Sequence, residues 1–289
     1  MINKCLFPAA GYGTRFLPAT KAVPKEMLPI LTKPLLQYGV EEALSAGVSN
    51  MAIVTGRGKR SIEDHFDDSF ELENQLKGTP KEHFLKEIND VIDKSTFTYI
   101  RQQKMLGLGH AILTGEALIG SEPFAVILAD DLCDCTDESV ISQLIRIYNE
   151  FQCSVIAIEE VPLSKVEDYG VITGDLINGS EDTYRVTNMF EKPKPNDLID
   201  FEKTKTDSIN TSSYMAIIGR YILTPDIFDI LKTIEPSKNG EIQITDALLS
   251  QAKEGQVIAY KFKGNRFDCG SVEGYLKATN HFAQNLSSS

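Results

Sequence analysis

The chain has 289 residues, and 29 lysines and arginines against 41 aspartates and glutamates give it a net charge of −12 at pH 7. With 42% hydrophobic and 24% charged residues it has the composition of a globular protein, which excludes wholesale disorder, a collagen-like repeat and a coiled-coil rod. The acidic balance argues against a general nucleic-acid or anionic-membrane binder, because both need a basic surface. A polyanionic ligand would therefore require a local basic patch.

Apolar segments and cysteines indicate where the protein resides. No apolar run approaches the roughly 20 residues that span a bilayer, and the apolar N-terminal stretch is too short for the core of a signal peptide. We therefore expect a soluble, cytoplasmic protein. The five cysteines form no C-x-x-C pair, so reduced core cysteines are favoured over a disulfide framework or a four-ligand zinc site.

Short β-branched segments alternate with amphipathic segments over the first 160 residues. Near-continuous apolar runs predict buried strands at residues 4–9, 51–55, 97–101, 124–129 and 154–158. The stretches between them predict helices at residues 34–46, 60–70, 108–119 and 138–151. This alternation is typical of an α/β fold with a doubly wound, mostly parallel central sheet.

The spacing becomes less regular after residue 160. Strands are predicted at residues 171–173, 185–190, 214–218 and 257–262, some of them as antiparallel additions to the sheet. Helices are predicted at residues 225–233, 244–252 and 272–285. Residues 192–210 carry charges and turn formers with little apolar periodicity, which predicts a loop.

A glycine-containing loop follows the first predicted strand. Gly11 and Gly13 would let backbone N–H groups approach a phosphate closely. Phe16 stands where a dinucleotide fingerprint has its third glycine, and Gly-Lys-Ser/Thr is absent, so both common nucleotide loops are excluded. Residues 11–33 contain four lysines and arginines against one glutamate, a local charge of +3. A solvated turn is the alternative, but the prolines that bracket residues 25–28 fix the backbone where a solvated face needs no such constraint.

Two motifs carry a family resemblance. Gly-x-Gly-Thr-Arg-Phe-Leu-Pro at residues 11–18 and Pro-Lys-Glu-Met-Leu-Pro at residues 24–29 resemble the signature of the sugar-1-phosphate nucleotidyltransferases. Further matching segments begin at Gly107, Ala125, Glu191, Ile218, Glu241 and Asp268. The resemblance implies the Rossmann-like fold of that family in a single domain over residues 1–289. Residues 1–160 would form the nucleotide-binding half, and residues 161–289 the sugar-binding and C-terminal half.

Acidic residues follow the predicted strand that ends at residue 129, at the edge where open α/β sheets bind ligands. By itself, an acidic pair such as Asp130 and Asp131 is more often a turn and a helix cap. The resemblance implies instead that Asp130 and the distant Asp268 bind Mg²⁺, a cation that takes oxygen ligands. Asp131 belongs to the same motif without being assigned a metal.

The resemblance also assigns the two substrates. The nucleotide would bind to Ala10, Gly11, Gly13, Thr14, Glu26, Gln102 and Gly107. The Gln102 amide offers a donor and an acceptor to an imide edge, and Glu26 would accept the imide N–H. The sugar would bind to Gly170, Glu191 and Lys192, with Lys192 pairing with the sugar phosphate. Taken alone, Gln102 would be an ordinary strand residue and Glu191-Lys192 ordinary surface.

The reaction implied by the resemblance joins UTP and glucose 1-phosphate to give UDP-glucose and pyrophosphate. The attacking phosphate oxygen is already charged, so catalysis would consist of alignment and charge neutralisation at the α-phosphorus. The resemblance gives this role to Arg15, Lys25, Asp130 and Lys192. It also implies a homodimer or homotetramer, with no nucleic-acid or membrane partner.

Three other functions are weighed against this one. A non-catalytic nucleotide-sugar binding protein could dispense with Arg15, Asp130 and Asp268, yet all three are present. An NAD-dependent oxidoreductase would need a glycine at Phe16 and an acidic residue about 20 positions later. The nearest alternative is a sister nucleotidyltransferase that uses dTTP.

Overall fold

The architecture is an α/β fold built on one large mixed sheet. The computed structural model describes residues 1–198 and 213–286. Its strands are β1 (Lys4–Pro8), β2 (Pro29–Ile30), β3 (Lys33–Pro34), β4 (Asn50–Thr55), β5 (Thr96–Arg101), β6 (Phe124–Ile127), β7 (Asp131–Asp134), β8 (Ser154–Val161), β9 (Gly170–Leu176), β10 (Thr183–Glu191), β11 (Tyr214–Leu223), β12 (Val257–Lys261) and β13 (Asn265–Asp268).

Helices connect these strands. They are α1 (Leu35–Ser45), α2 (Arg60–Phe66), α3 (Phe70–Leu76), α4 (His83–Lys94), α5 (Leu108–Thr114), α6 (Glu116–Ile119), α7 (Val140–Phe151), α8 (Ile227–Thr233), α9 (Ile244–Lys253) and α10 (Val272–Leu286). None of the helices in the described ranges is both long and apolar enough to cross a membrane.

The large sheet has the strand order β5-β4-β1-β6-β11-β8-β12-β10-β9. The pairs β5/β4, β4/β1, β1/β6 and β8/β12 are parallel. The remaining neighbours in this order are antiparallel, and each of these pairs includes β9, β10 or β11. The prediction of a doubly wound α/β sheet with antiparallel additions from the second half is therefore confirmed.

The strands bury side chains on both faces of this sheet. In β1, Cys5 and Phe7 pack with α1, α2 and α7 on one face, whereas Leu6 packs with α5, α8 and α9 on the other. All three side chains are fully buried. Because both faces are covered, successive residues are apolar, which explains why unbroken apolar runs predict these strands.

Several predicted boundaries are wrong. The helix predicted at residues 60–70 ends at Phe66, and α3 and α4 follow it before β5. Helix α4 is not among the predicted elements, although Leu85, Ile88, Val91 and Ile92 recur at helical spacing; of its side chains only Val91 is buried. The helix predicted at residues 108–119 is divided into α5 and α6.

Two further differences lie near the predicted site. The strand predicted at residues 124–129 ends at Ile127, and a turn leads into β7, which pairs with β13 in a separate ribbon. In the predicted loop at residues 192–210, residues 195–198 are helical. Residues 199–210 of that loop lie outside the described ranges.

Candidate active site

A cleft with two lobes follows the carboxyl edge of the parallel strands. The first lobe, of about 390 Å³, lies against the loops after β1 and β5, and the second lobe, of about 300 Å³, lies against β9, β10 and β13. The predicted residues in the first lobe are Ala10, Gly11, Gly13, Thr14, Lys25, Gln102 and Gly107. Those in the second lobe are Arg15, Gly170, Glu191, Lys192 and Asp268. Asp130 and Gly107 line both lobes.

The loop after β1 forms one wall of the first lobe. Gly13 has a φ of 64°, and a Cβ there would stand only 2.9 Å from the Cβ of Lys25. Another residue at position 13 would be strained and would displace Lys25. The loop therefore needs this glycine to bring a cation against its backbone, a combination typical of phosphate sites.

Lys25 and Asp130 form an ion pair where the two lobes meet. Lys25 Nζ lies 2.5 Å from Asp130 Oδ2. Burial alone would raise the pKa of Asp130, but the Lys25 ammonium outweighs it and the pKa is lowered. Burial would likewise lower the pKa of Lys25, but the carboxylates of Asp130 and Glu26 outweigh it and raise that pKa. Both groups of the pair are therefore charged at neutral pH.

Arg15, Asp130 and Asp268, which all line the second lobe, converge beside Gly270. Asp130 Oδ2 and Asp268 Oδ1 each lie 3.0 Å from the position that a Cβ on Gly270 would occupy. A guanidinium nitrogen of Arg15 lies 3.3 Å from the same position. The pairing of β13 with β7 sets Asp268 opposite Asp131 and so brings Asp268 beside the turn that carries Asp130.

The two converging carboxylates are the oxygen donors that this point offers to a cation. Within residues 1–198 and 213–286, no group of three or more His, Cys, Asp and Glu side chains is arranged to hold a metal ion. Mg²⁺ is commonly held by one or two carboxylates together with waters and substrate phosphates. Asp130 and Asp268 therefore fit a cation whose coordination is completed by a phosphate ligand.

Asp131, the neighbour of Asp130, has its carboxylate engaged within the protein. Its Oδ2 accepts a hydrogen bond of 2.7 Å from the backbone N–H of Gly219, and its Oδ1 pairs with the Arg266 guanidinium. Gly219 lies in β11, whose register with β8 shifts between Ile217 and Tyr221. Asp131 therefore fastens the turn that carries Asp130 to β11 and β13.

Gln102 follows β5 and presents a defined edge to the first lobe. Its Nε2 lies 3.3 Å from the carbonyl oxygen of Gly107 and 2.8 Å from Nδ1 of His110. Both amide hydrogens are therefore directed into the protein. The amide oxygen is the group left for a ligand in the first lobe.

Glu26 is placed differently from the other predicted residues. Its side chain is buried beneath the loop, where Oε2 accepts a hydrogen bond of 2.6 Å from Lys59 Nζ, and it does not line either lobe. Burial raises the pKa of Glu26 and lowers the pKa of Lys59. Glu26 Oε1 is buried without a hydrogen-bond partner. Its predicted contact with a base stays a prediction.

The second lobe is built at the open ends of two antiparallel strands. Gly170, the first residue of β9, pairs in register with Glu191, the last residue of β10. Thr245 donates a hydrogen bond of 3.0 Å to Glu191 Oε2. Lys192 follows β10 and has a φ of 45°. Its backbone N–H donates a hydrogen bond of 3.0 Å to the carbonyl oxygen of Tyr169, and its Nζ lies 3.5 Å from Glu191 Oε1. A carboxylate and a cation therefore stand side by side in this lobe.

The profile of the nucleotidyl transferase family matches residues 6–285. The chain belongs to the nucleotidyl transferase family. A UTP–glucose-1-phosphate uridylyltransferase of Pseudomonas aeruginosa is 61% identical over 287 residues, which is 99% of this chain and 98% of that protein. The family predicted from the sequence is therefore confirmed, and its members typically use a divalent metal ion.

Solved structures agree with this assignment of the nucleotidyl transferase family. An apo UDP-glucose pyrophosphorylase has a TM-score of 0.89 at 59% identity, with 99% of both chains covered. A UDP-glucose pyrophosphorylase complexed with UDP-glucose has a TM-score of 0.85 at 56% identity, covering 99% of this chain and 100% of the other.

Some side chains of this nucleotidyl transferase that support the site are not among the predicted residues. Lys59 pairs with Glu26, His110 contacts Gln102, and Thr245 contacts Glu191. Tyr169 donates a hydrogen bond of 3.2 Å to Asp268 Oδ2, and the Arg266 guanidinium lies 4.9 Å from the centre of the Tyr169 ring. His110 and Thr245 lie within segments that carry the family resemblance, which was the signal available for them.

Proposed function

We propose that this chain transfers a uridylyl group from UTP to glucose 1-phosphate and releases pyrophosphate, forming UDP-glucose. The observation that carries the proposal is the meeting of the two lobes at Asp130, with Lys25 on one side and Arg15 and Asp268 on the other. A nucleotide in the first lobe and a sugar phosphate in the second would thus bring their phosphates together. The relatives named as UTP–glucose-1-phosphate uridylyltransferases support these two substrates.

The first lobe suits the nucleotide. The loop from Ala10 to Thr14 would wrap the triphosphate, and Lys25 would bind it as a cation already positioned by Asp130. Gln102 and the backbone of Gly107 would contact the base. Every predicted nucleotide residue except Glu26 lines this lobe, which supports the prediction that residues 1–160 form the nucleotide-binding half.

The second lobe suits the sugar phosphate. Glu191, held by Thr245, would accept hydrogen bonds from the glucose hydroxyls, and Gly170 would let the ring lie against the backbone. Lys192 would pair with the phosphate that attacks. These residues belong to the predicted sugar-binding half, residues 161–289.

The chemical step then needs alignment and charge neutralisation. An oxygen of the sugar phosphate attacks the α-phosphorus of UTP, the bond to the β-phosphate breaks, and pyrophosphate leaves with the electron pair. Lys192 would aim the attacking oxygen, while Arg15 and Lys25 would balance the charge that grows on the leaving group. Asp130 and Asp268 would hold Mg²⁺, which when bound neutralises phosphate charge.

A pyrophosphate-release assay tests the proposal directly. Purified protein is offered UTP, dTTP, CTP, ATP and GTP, each with glucose 1-phosphate and with galactose 1-phosphate. We expect the largest kcat/KM for UTP with glucose 1-phosphate. A larger value with dTTP would make the chain a sister enzyme of the same family, and UDP-glucose binding without turnover would make it a binding protein. The cytoplasmic location and the homo-oligomeric state stay predictions.

A further inference from the structure

We infer that His110 is a positioning residue that fixes the Gln102 amide with its oxygen toward the base and so sets the preference for uracil over cytosine. The inference rests on the proposed function, since it concerns the base that the first lobe takes. It assigns His110 a role that acts through Gln102, with no contact to the nucleotide required.

The orientation of the Gln102 amide follows from its two partners. The carbonyl oxygen of Gly107, 3.3 Å away, can only accept a hydrogen bond, so the amide atom that faces it must be the nitrogen. The second hydrogen of that nitrogen points to His110 Nδ1 at 2.8 Å. A flipped amide would set its oxygen against the Gly107 carbonyl, and it would keep a hydrogen bond to Nδ1 only if the ring proton moved from Nε2 to Nδ1.

The state of the His110 ring agrees with this role. A hydrogen bond from the amide nitrogen requires Nδ1 to carry a lone pair, which places the ring proton on Nε2. Burial lowers the pKa of His110, so the neutral ring prevails at neutral pH. The ring is held at the third residue of α5, in the helix that begins just after Gly107.

The Gln102 amide oxygen, the group left for a ligand in the first lobe, distinguishes the two pyrimidines. Uracil presents an N–H at ring position 3, which this oxygen accepts in place of Glu26, the acceptor predicted from the sequence, which is buried on Lys59. Cytosine presents a lone pair there, which repels the oxygen and which only a flipped amide would satisfy. Without His110, the longer contact to Gly107 alone opposes that flip. With its proton on Nε2, His110 therefore adds a second constraint on the amide to that of the Gly107 carbonyl.

Three substitutions of His110 distinguish the effect of its hydrogen bond to Gln102 from the effect of its side-chain volume. In His110→Asn, the side-chain oxygen can take the place of Nδ1 and accept from Gln102. His110→Leu offers similar volume without an acceptor, and His110→Gln carries its polar atoms one bond farther, toward the place of Nε2. We would measure kcat/KM for UTP and CTP with saturating glucose 1-phosphate, and by calorimetry the affinities for UDP and CDP.

The expected result is a change in ratio. His110→Leu and His110→Gln should each reduce the UTP:CTP preference roughly tenfold, the value of one hydrogen bond that fixes orientation, and should shift the UDP:CDP affinity ratio alike. His110→Asn should keep both ratios within about twofold of the unchanged protein. If the Leu variant does not fold, the Gln variant carries the same expectation.

Two outcomes would overturn the inference. One is an unchanged UTP:CTP ratio in His110→Leu or His110→Gln, including an equal loss with both nucleotides, which marks a purely structural role; the other is a loss of that ratio in His110→Asn as large as in His110→Leu. Failure of the proposed function is distinguishable, because the unsubstituted protein would then fail to turn over UTP. If the unsubstituted protein prefers UTP and the His110 variants keep that preference, the role of His110 is contradicted while the proposed function stands.

Discussion

The two lobes of the cleft are built in opposite ways. The first lobe is made largely of backbone and small residues in the loops after β1 and β5, so its shape is fixed by parallel strands that end at one edge. The second lobe has more charged side chains, several of them at the ends of β9, β10 and β13, beside apolar residues of β11. A loop can wrap a triphosphate of any base, whereas a sugar must be recognised through individual hydroxyls and one phosphate. The construction of each lobe matches the ligand proposed for it.

Lys25 in the first lobe and Lys192 in the second lobe also differ in how firmly each side chain is held before a ligand binds. Lys25 is held at 2.5 Å by Asp130, and its side chain is 22% exposed. Lys192 is 53% exposed and has Glu191 at 3.5 Å as an ion-pair partner. Ordering a lysine costs conformational entropy, about 2 kcal/mol at most. The triphosphate should therefore bind to Lys25 in a position that is already fixed. Binding of the sugar phosphate must in addition order the Lys192 side chain.

The largest expected effect comes from the residue that the two lobes share. Asp130→Ala should lower kcat by about 100-fold or more, because charge at the transferring phosphorus loses its carboxylate and metal clamp. Steady-state pyrophosphate release measures it, and a chelator should silence the unsubstituted protein in the same assay. Asp137→Ala, an exposed acid of the same segment, is the matched control. A folded Asp130→Ala variant with near-normal kcat would overturn the assignment.

The first lobe could be predicted from the sequence more fully than the second. Gly11, Gly13 and Lys25 line the first lobe and lie close together in the chain, so the two glycines, the positive charge and the bracketing prolines mark one local phosphate site. Asp268 joins Asp130 only through the pairing of β13 with β7, which no local pattern indicates. Its assignment came from the family resemblance, because long-range pairing leaves little trace in a single sequence.

The roles of adjacent charged residues are the hardest to separate from sequence. Lys25 and Glu26 are adjacent, yet the short helical turn at Lys25–Met27 directs the lysine into the cleft and the glutamate into the interior beside Lys59. Asp130 and Asp131 both line the second lobe, but the Asp131 carboxylate is engaged by Gly219 and Arg266. Which of two adjacent carboxylates meets a ligand depends on a turn of the backbone that composition and spacing do not specify.

The structural role of Asp131 can be tested by its effect on stability. Asp131→Asn breaks the buried pair with Arg266, which keeps Glu159, so the free energy of unfolding should fall by about 3 kcal/mol. Urea denaturation measures the change, and Asp130→Asn serves as the comparison, with a smaller loss because Lys25 can reach water. An Asp131→Asn variant of normal stability that no longer responds to metal would instead make Asp131 a ligand.

Substitution of two cations of the second lobe, Lys192 and Arg15, should change different kinetic parameters. Lys192→Ala should raise the KM for glucose 1-phosphate roughly tenfold with little change in the KM for UTP, since Lys192 lines only the second lobe. Arg15→Ala should depress kcat instead, because the charge it balances grows as pyrophosphate leaves. Initial rates with each substrate varied in turn measure both effects. The reverse pattern would move Lys192 to the nucleotide side.

The base selectivity of the first lobe is a smaller effect. Mispaired buried polar groups cost roughly 1–3 kcal/mol, so the unsubstituted protein should prefer UTP over CTP by about tenfold or more. Gln102→Ala removes the acceptor that faces the base and should narrow this ratio. Competition between the two nucleotides in one assay measures it. Equal use of CTP, or an unchanged ratio in Gln102→Ala, would require the predicted base contacts to be abandoned.

The smallest expected difference is between UTP and dTTP. Thymine presents the same hydrogen-bonding edge as uracil and differs on the base by one methyl group, which is worth only about 1–3 kcal/mol even where a pocket excludes it. The oxygen of Gln102 would accept from the imide N–H of either base, so it provides no discrimination. We expect the order UTP, dTTP, CTP in kcat/KM, with dTTP the best substitute. Because Gln102→Ala removes a contact that both imides share, it should lower the values for UTP and dTTP together. A variant that lost UTP but kept dTTP would show that recognition of the sugar or of the methyl group, rather than the imide, governs the choice.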